Sequence, residues 1–188
     1  MTRLRIALPC ITRALVMASL ALAPAESFAS VVVPMTLVEM TRAAVAIIDA
    51  EVIGVHATAD SGRIERVVSL RVTSRWKGEA DEVVHVRLPG GTIGRTRTIV
   101  IGVPTLDEGD RVVLFLDQTP AGTYRILGLH QGAWRVSSSP LDGALSVGPM
   151  APADRIEPGR VTRGDGTRRA RRLEGFREDV QRLLEPGR

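Results

Sequence analysis

The stretch that most constrains the fold runs from Ile64 to Gly91, where apolar and polar residues alternate in two successive segments. Between Ile64 and Trp76, most apolar side chains occupy even positions and most polar ones occupy odd positions. Neighbouring side chains of a β-strand point to opposite faces, so this pattern predicts a strand with one buried face. The alternation resumes at Val84 and ends at the Pro-Gly-Gly of residues 89–91. The sequence therefore predicts two antiparallel strands joined by a charged turn.

Further apolar segments lie on both sides of this pair and are separated by turn residues. They comprise residues 45–57, 98–103, 112–116, 124–129, 133–136 and 144–147. Gly54, inside the first segment, predicts a bulge or a sharp bend. Several strands at this fairly regular spacing are typical of a small sandwich or a closed barrel. The predicted fold class is therefore mainly β.

The N-terminal segment, residues 1–29, has the three parts of a secretory signal peptide. Three arginines precede the apolar run Ala14–Ala23, and Ser27 and Ala29 place small residues where a signal peptidase reads them. The alternative is a membrane anchor, but a spanning helix needs roughly 20 apolar residues and this run is shorter. We therefore expect cleavage before Ser30 and export to the periplasm or the extracellular medium.

Cysteine usage and charge exclude several kinds of site. The single cysteine, Cys10, lies within the predicted signal, so the mature chain contains none. A disulfide framework and a thiolate metal site are thereby excluded. From Ser30 onward, 22 lysine and arginine residues accompany 20 aspartate and glutamate residues, a net charge of +2. The arginine-rich composition is typical of a GC-rich bacterial genome and does not by itself indicate an anionic partner. The small number of aromatic residues argues against nucleic-acid binding, which uses exposed aromatic side chains.

Two helices are predicted outside the strands. Thr36 and Glu39 have the spacing of a capping box, which predicts a short helix from Leu37 to about Ala44. Near the C-terminus, apolar residues recur at helical spacing after Leu173, and Pro186 ends that amphipathic helix. The chain thus divides into a signal peptide (1–29), a β-barrel domain (30–148), a flexible linker (149–167) and a basic cluster with the C-terminal helix (168–188).

A basic cluster immediately precedes the C-terminal helix and contains Arg168, Arg169, Arg171 and Arg172. Arginines at a helix N-terminus oppose the helix dipole, so they are not placed to stabilise the helix. One interpretation is peripheral contact with an anionic membrane surface or with a partner. The other, which we favour, is that the helix packs back on the barrel.

Several short phrases carry a family resemblance over residues 36–136. They are Trp76-Lys77-Gly78, Leu88–Gly91, Gly102–Pro104, Gly109–Leu116 and Gly128–Trp134. Together with the order of helix and strands, they resemble the netrin-like module, which includes the tissue inhibitors of metalloproteinases, and uncharacterised exported bacterial proteins of the same layout. The resemblance implies a small antiparallel barrel of the oligonucleotide/oligosaccharide-binding (OB) type. In the inhibitors an N-terminal cysteine ligates the target's zinc, whereas the predicted first residue here is Ser30, so the inhibitory residue does not carry over.

No catalytic motif is present in the sequence. The candidate functional residues are therefore binding residues on and beside the predicted loops. The three histidines lack the spacing of metal ligands, and no serine lies in a nucleophile elbow. We therefore predict no catalytic residue, no metal and no cofactor. Loops carry binding residues more often than strands do. The candidate binding residues are Gly91, Arg95, Arg97, Asp107, Asp110, His130, Gln131 and Trp134.

Simpler interpretations compete at each of these positions. Turn chemistry explains Asp107 and Asp110 better than a cation site does, and Trp134 is more typical of a core residue than of a ligand platform. The leading hypothesis is a non-catalytic exported module that binds a protein, with a protease as the partner class that the resemblance implies. The alternatives are a structural envelope protein tethered by its C-terminal helix and a hydrolase with scattered residues such as His130 with Asp107.

Overall fold

A computed structural model describes residues 33–60, 62–151 and 169–185. Within these ranges the chain is mainly β, with two α-helices and ten strands. The predicted signal peptide and residues 152–168, which include Arg168 and most of the predicted linker, lie outside the described residues. The start of that linker differs from the prediction, because Pro149 ends a strand and Met150 is buried.

The described residues contain two α-helices, one 3₁₀ helix and ten strands. Helix α1 spans Leu37–Ala43, a 3₁₀ helix spans Leu129–Gly132 and helix α2 spans Leu173–Leu184. The strands are β1 (Ala46–Asp60), β2 (Arg63–Lys77), β3 (Val83–Pro89), β4 (Gly91–Ile93), β5 (Thr96–Thr98), β6 (Arg111–Gln118), β7 (Tyr124–Ile126), β8 (Ala133–Ser138), β9 (Leu145–Pro149) and β10 (Arg171–Arg172).

Five of the strands form a ring-like sheet. The order β1-β2-β3-β7-β6 returns to β1, since β1 pairs with both β2 and β6. Three consecutive strands are followed by β6, which returns beside β1, so the connectivity is that of a Greek key. Strands β8, β9 and β10 continue the sheet beyond β6, whereas β4 and β5 form a separate two-stranded hairpin.

The central strand pair predicted from the alternating stretch is confirmed. Strands β2 and β3 pair antiparallel from Glu65 opposite Pro89 to Arg71 opposite Val83. Trp76, however, lies on the opposite face from the one predicted. The register between β1 and β2 shifts near this end of β2, and each extra residue of a bulge moves the following side chains to the other face of the sheet.

Two apolar layers lie on the two faces of the sheet. The inner layer fills the ring and includes Ile48, Val68, Leu70, Val86, Val112 and Leu114. The outer layer lies between the sheet and the two helices and includes Met40, Ile47, Trp76, Phe115, Trp134 and Phe176. Strand β6 and the first five residues of β1, residues 46–50, are buried on both faces, whereas β1 becomes partly exposed beyond Val52.

Helix α1 begins with the predicted capping box. The Glu39 amide donates to Thr36 Oγ1 at 3.2 Å, and the Thr36 amide donates to Glu39 Oε2 at 2.7 Å. Glu39 Oε2 also accepts from the Thr36 hydroxyl at 2.8 Å, and the two hydrogen bonds from Thr36 to the ionised carboxylate, the amide one first, lower the pKa of Glu39. Two of the orphan amides at the helix start are thereby satisfied.

The C-terminal end of helix α1 contacts the turn that follows Trp76. Lys77 Nζ donates to the carbonyl oxygens of Thr41 at 2.8 Å and Arg42 at 2.9 Å, both in the last turn of the helix. Burial lowers the pKa of this ammonium group. The next residue, Gly78, has φ +68°, and a Cβ there would lie 2.2 Å from the Val45 carbonyl oxygen. Trp76 therefore packs in the outer apolar layer, Lys77 caps the C-terminus of helix α1 and Gly78 forms the turn.

Replacing Lys77 by methionine should lower the free energy of unfolding by about 1–2 kcal/mol, because two carbonyl groups at a helix C-terminus lose a charged donor. Methionine keeps most of the stem, so the loss reports the ammonium group. The measurement is urea unfolding followed by circular dichroism. The control is Arg42→Met, which removes an exposed cation from the same helix end; equal losses in the two variants would contradict the capping role of Lys77.

Helix α2 packs on the outer face of the sheet, as the favoured interpretation of its amphipathic pattern predicts. Its apolar residues Leu173, Phe176 and Val180 are buried. Arg171 is held at the helix start, with NH1 2.7 Å from Asp179 Oδ2 and the guanidinium carbon 4.6 Å from the Phe176 ring centre. Arg169 and Arg172 are exposed. Of the basic cluster, Arg171 is thus engaged within the fold.

Candidate binding surface

The separate hairpin of β4 and β5 is almost entirely exposed. Gly91 pairs with Thr98, Thr92 with Arg97 and Ile93 with Thr96, so a two-residue turn of Gly94 and Arg95 joins the strands. Every residue from 92 to 99 is exposed. The sequence predicted a connection here and a strand over residues 98–103. The prediction of that strand is wrong, because residues 99–103 form an irregular segment and a turn.

Three isoleucines of this region face solvent. Ile93 is 37% exposed, Ile99 53% and Ile101 76%. Val100, between the last two, packs against the inner apolar layer and anchors the segment. Exposed apolar residues are common singly, whereas three within nine residues are a notable concentration of exposed apolar side chains. We call residues Gly91–Ile101 the isoleucine hairpin.

The isoleucine hairpin is also positively charged. Residues 90–106 contain Arg95 and Arg97 but no aspartate or glutamate. Both arginines are exposed. The hairpin segment therefore carries exposed branched apolar side chains and two exposed cations.

The base of the isoleucine hairpin is fixed to the ring. The Gly90 amide donates to the Ile64 carbonyl oxygen at 2.9 Å. Gly90 has φ +84°, and a Cβ there would lie 2.8 Å from the Thr98 carbonyl oxygen, so a side chain would disrupt the start of the hairpin. Gly91 lies against the side chains of Ile64 and Arg66 on β2. The hairpin is thus a projection with a defined base.

Asp107 and Asp110, both predicted as binding residues, lie in one turn. Asp110 Oδ2 accepts a hydrogen bond from the Asp107 amide at 3.0 Å and is 2.8 Å from Arg135 NH2 on β8. Arg135 NH2 also donates to the Thr105 carbonyl oxygen at 3.2 Å. The Asp110 carboxylate therefore holds the loop onto the sheet, while Asp107 is exposed.

His130 and Gln131 lie in the 3₁₀ helix and Trp134 on the strand that follows it, and all three make contacts within the fold. The His130 amide donates to the Gly102 carbonyl oxygen at 2.9 Å, and His130 Nδ1 lies 3.1 Å from the same oxygen. This contact ties the 3₁₀ helix to Gly102, the residue that follows the isoleucine hairpin. Gln131 accepts from the Met35 amide at 2.8 Å and donates to the Val33 carbonyl oxygen at 3.0 Å. Trp134 is 1% exposed, with its ring centre 4.6 Å from that of Phe176.

Of the eight predicted binding residues, the structure therefore groups Gly91, Arg95 and Arg97 on one projection. Gln131 and Trp134 are buried and face other parts of the chain. The signal that sequence reasoning missed is the exposure of Ile99 and Ile101. Their apolar run suggested a buried strand, although Gly102 and Pro104 directly follow it and limit its length.

A serine–histidine contact also escaped the sequence analysis. Ser69 Oγ lies 3.1 Å from His85 Nδ1 across β2 and β3, whose register makes them direct neighbours. Such a pair is the first half of a nucleophile relay, which also needs a group to orient the histidine. In the described part of the chain, no carboxylate hydrogen bond to His85 accompanies it, and no cluster of three potential metal ligands is present. The pair serves as a cross-strand contact.

Comparisons with protein-family models, with curated proteins and with solved structures give no match. Among the described helices, none is long and apolar enough to cross a membrane.

Proposed function

We propose that this chain is a non-catalytic protein-binding module that is exported and presents the isoleucine hairpin to a protein partner. The observation that carries the proposal is the exposure of Ile93, Ile99 and Ile101 on one anchored projection. Leaving large apolar side chains in water forgoes about 25 cal/mol for each Å² that burial would remove from solvent. A partner that covers the three side chains recovers this free energy.

An OB-type, netrin-like barrel is the fold identity that we propose with this function. Two observations support it: the five-stranded ring with Greek-key connectivity, and the parallel contact of Val86 on β3 with Tyr124 on β7 that closes it. The resemblance names a protease as a partner class. The cysteine-based inhibitory contact of the metalloproteinase inhibitors is not part of the proposal, because Cys10 precedes the predicted cleavage site.

A protein partner fits the isoleucine hairpin better than nucleic acid or a membrane does. Barrels of this type bind single strands by stacking bases on exposed aromatic rings, and residues 90–106 contain no aromatic residue. Membrane attachment by the C-terminal helix would need its apolar face, and Leu173, Phe176 and Val180 instead pack against the sheet. The scattered hydrolase site of His130 with Asp107 is disfavoured because His130 Nδ1 already lies 3.1 Å from the Gly102 carbonyl oxygen.

The test is a crosslinking capture from native envelope and culture medium with the chain from Ser30 to Arg188 as bait. We expect the double variant Ile99→Ser and Ile101→Ser to capture about tenfold less of the partner than the parent chain, because both side chains belong to the centre of the contact. Circular dichroism and the unfolding midpoint should not change, since both side chains are exposed.

The matched control is Leu141→Ser, which removes a 95% exposed leucine from the turn between β8 and β9. This variant should capture as much partner as the parent chain. Equal losses in the control and the isoleucine variant would mean that general surface hydrophobicity drives capture. Undiminished capture by the isoleucine variant would reject the hairpin as the binding element.

A further inference from the structure

The geometry points to the way in which the isoleucine hairpin binds: we propose that an extended, acidic segment of the partner pairs with the outer edge of β5 as an added strand. The inference rests on the proposed function, because it takes the hairpin to be the binding element. Beyond the proposed function, it specifies that the backbone edge of β5 binds, that the bound segment of the partner is extended and that this segment is acidic.

The backbone of β5 leaves one edge open to solvent. In the described part of the chain, β5 pairs only with β4, and the base of β4 lies against Ile64 and Arg66 of β2. The pair Ile93–Thr96 flanks the two-residue turn and therefore exchanges both hydrogen bonds. The next pair, Thr92–Arg97, is then a non-hydrogen-bonded pair, so the N–H and C=O of Arg97 point away from β4. An extended segment can pair with these groups as in β-strand addition.

The side chains beside this edge determine the kind of segment that fits. Arg97 lies on β5, Arg95 directly precedes the strand in the turn and Ile99 directly follows it, and all three are exposed. No ion pair to Arg95 or Arg97 exists within the described residues. Opposite charges and branched apolar pairs facing each other across strands are stabilising. The complementary segment therefore carries glutamate or aspartate beside valine or isoleucine.

A second copy of the same hairpin is the wrong occupant for this edge. A two-fold pairing of β5 with β5 places the same patch on both sides, so the arginines of one copy approach those of the other. Like charges opposite each other destabilise a strand pair, and residues 90–106 supply no carboxylate to compensate. Edge charges of this kind protect sheet edges from self-association.

The probe is a synthetic peptide of alternating glutamate and valine, and its counterpart has lysine at each glutamate position. Binding to the full chain is followed by heteronuclear NMR and amide hydrogen exchange. We expect the acidic peptide to protect the Arg97 amide and to bind about tenfold more tightly than the lysine peptide at low salt. In the double variant Arg95→Glu and Arg97→Glu, the preference between the two peptides should reverse.

A matched pair of variants isolates the backbone contribution. Arg97→Ala removes the cation and keeps the N–H, whereas Arg97→Pro removes both while leaving the β4 ladder intact, because the N–H points outward. We expect the proline variant to bind the acidic peptide about tenfold more weakly than the alanine variant does. Hydrogen exchange should show that both variants keep the protection of the Thr96 and Thr98 amides.

The outcomes separate this inference from the proposed function. Equal binding of the two peptides, or of the alanine and proline variants, overturns edge pairing. If serine at positions 99 and 101 still abolishes partner capture, the hairpin remains the binding element and its mode is different. If those serine variants capture normally and the acidic peptide protects no hairpin amide, both proposals fail.

Discussion

Replacing Phe176 by alanine is expected to lower the free energy of unfolding by about 3–5 kcal/mol, the range for a large aromatic residue removed from a packed core. Phe176 is fully buried, and its ring centre lies 4.6 Å from that of Trp134, 5.8 Å from that of Trp76 and 6.3 Å from that of Phe115. The cavity left by the ring would be lined by rigid aromatic groups, which cannot collapse to fill it. Guanidinium unfolding followed by tryptophan fluorescence measures the loss, because both tryptophans report on this layer.

This prediction also separates two roles of the C-terminal helix. If the helix is a tether that reaches a membrane or a larger assembly, Phe176→Ala alters envelope fractionation and leaves the unfolding midpoint of the soluble chain unchanged. If the helix is part of the core, stability falls. Gln181→Ala, at an exposed position of the same helix, should change the unfolding free energy by less than about 0.5 kcal/mol. A loss below about 1 kcal/mol for Phe176→Ala would contradict the packed position of the helix.

The local patterns of the sequence predicted local structure well. The spacing of Thr36 and Glu39 specified the start of α1, and the alternation in β2 and β3 specified their pairing. Gly54 marked a register shift in β1, as predicted. These features depend on residues close in the chain or on a two-residue period, so no tertiary information was needed to find them.

The errors arose where tertiary contacts decide which face of an element is buried. The register shifts in β2 place Trp76 in the outer layer, although its even position matched Leu70. Trp134 is buried because α2 covers its face of β8, and α2 is distant in sequence. In the run from Thr98 to Val103, only Val100 and Val103 contribute to the inner layer. Hydrophobicity alone did not separate these two valines from the exposed isoleucines, so the prediction named Gly91, Arg95 and Arg97 of the hairpin but missed the exposed isoleucines beside them.

A second large effect is expected where β1 and β6 pair, at the ion pair of Asp49 with Arg111. The Asp49 side chain is 5% exposed, and the two groups form a bidentate contact, with Nε–Oδ1 at 3.0 Å and NH2–Oδ2 at 2.8 Å. The hydrogen bonds to Asp49 raise the pKa of Arg111. Arg111→Met leaves a buried carboxylate with no cation beside it, and the loss is expected to be about 2–4 kcal/mol. Solvent reaches part of the guanidinium, which keeps the value below that of a fully buried pair.

A double-mutant cycle decides whether this loss comes from the unpaired charge or from packing. The double variant Asp49→Leu and Arg111→Met removes both charges, and it should recover most of the stability lost in Arg111→Met. The matched control is Arg71→Met, which breaks the exposed ion pair between Arg71 on β2 and Glu51 on β1. This variant should lower the free energy of unfolding by less than about 0.5 kcal/mol. A double variant no more stable than Arg111→Met would assign the loss to packing of the arginine stem. Recovery would show that the buried carboxylate of Asp49 on β1 is tolerated only because Arg111 on β6 lies beside it.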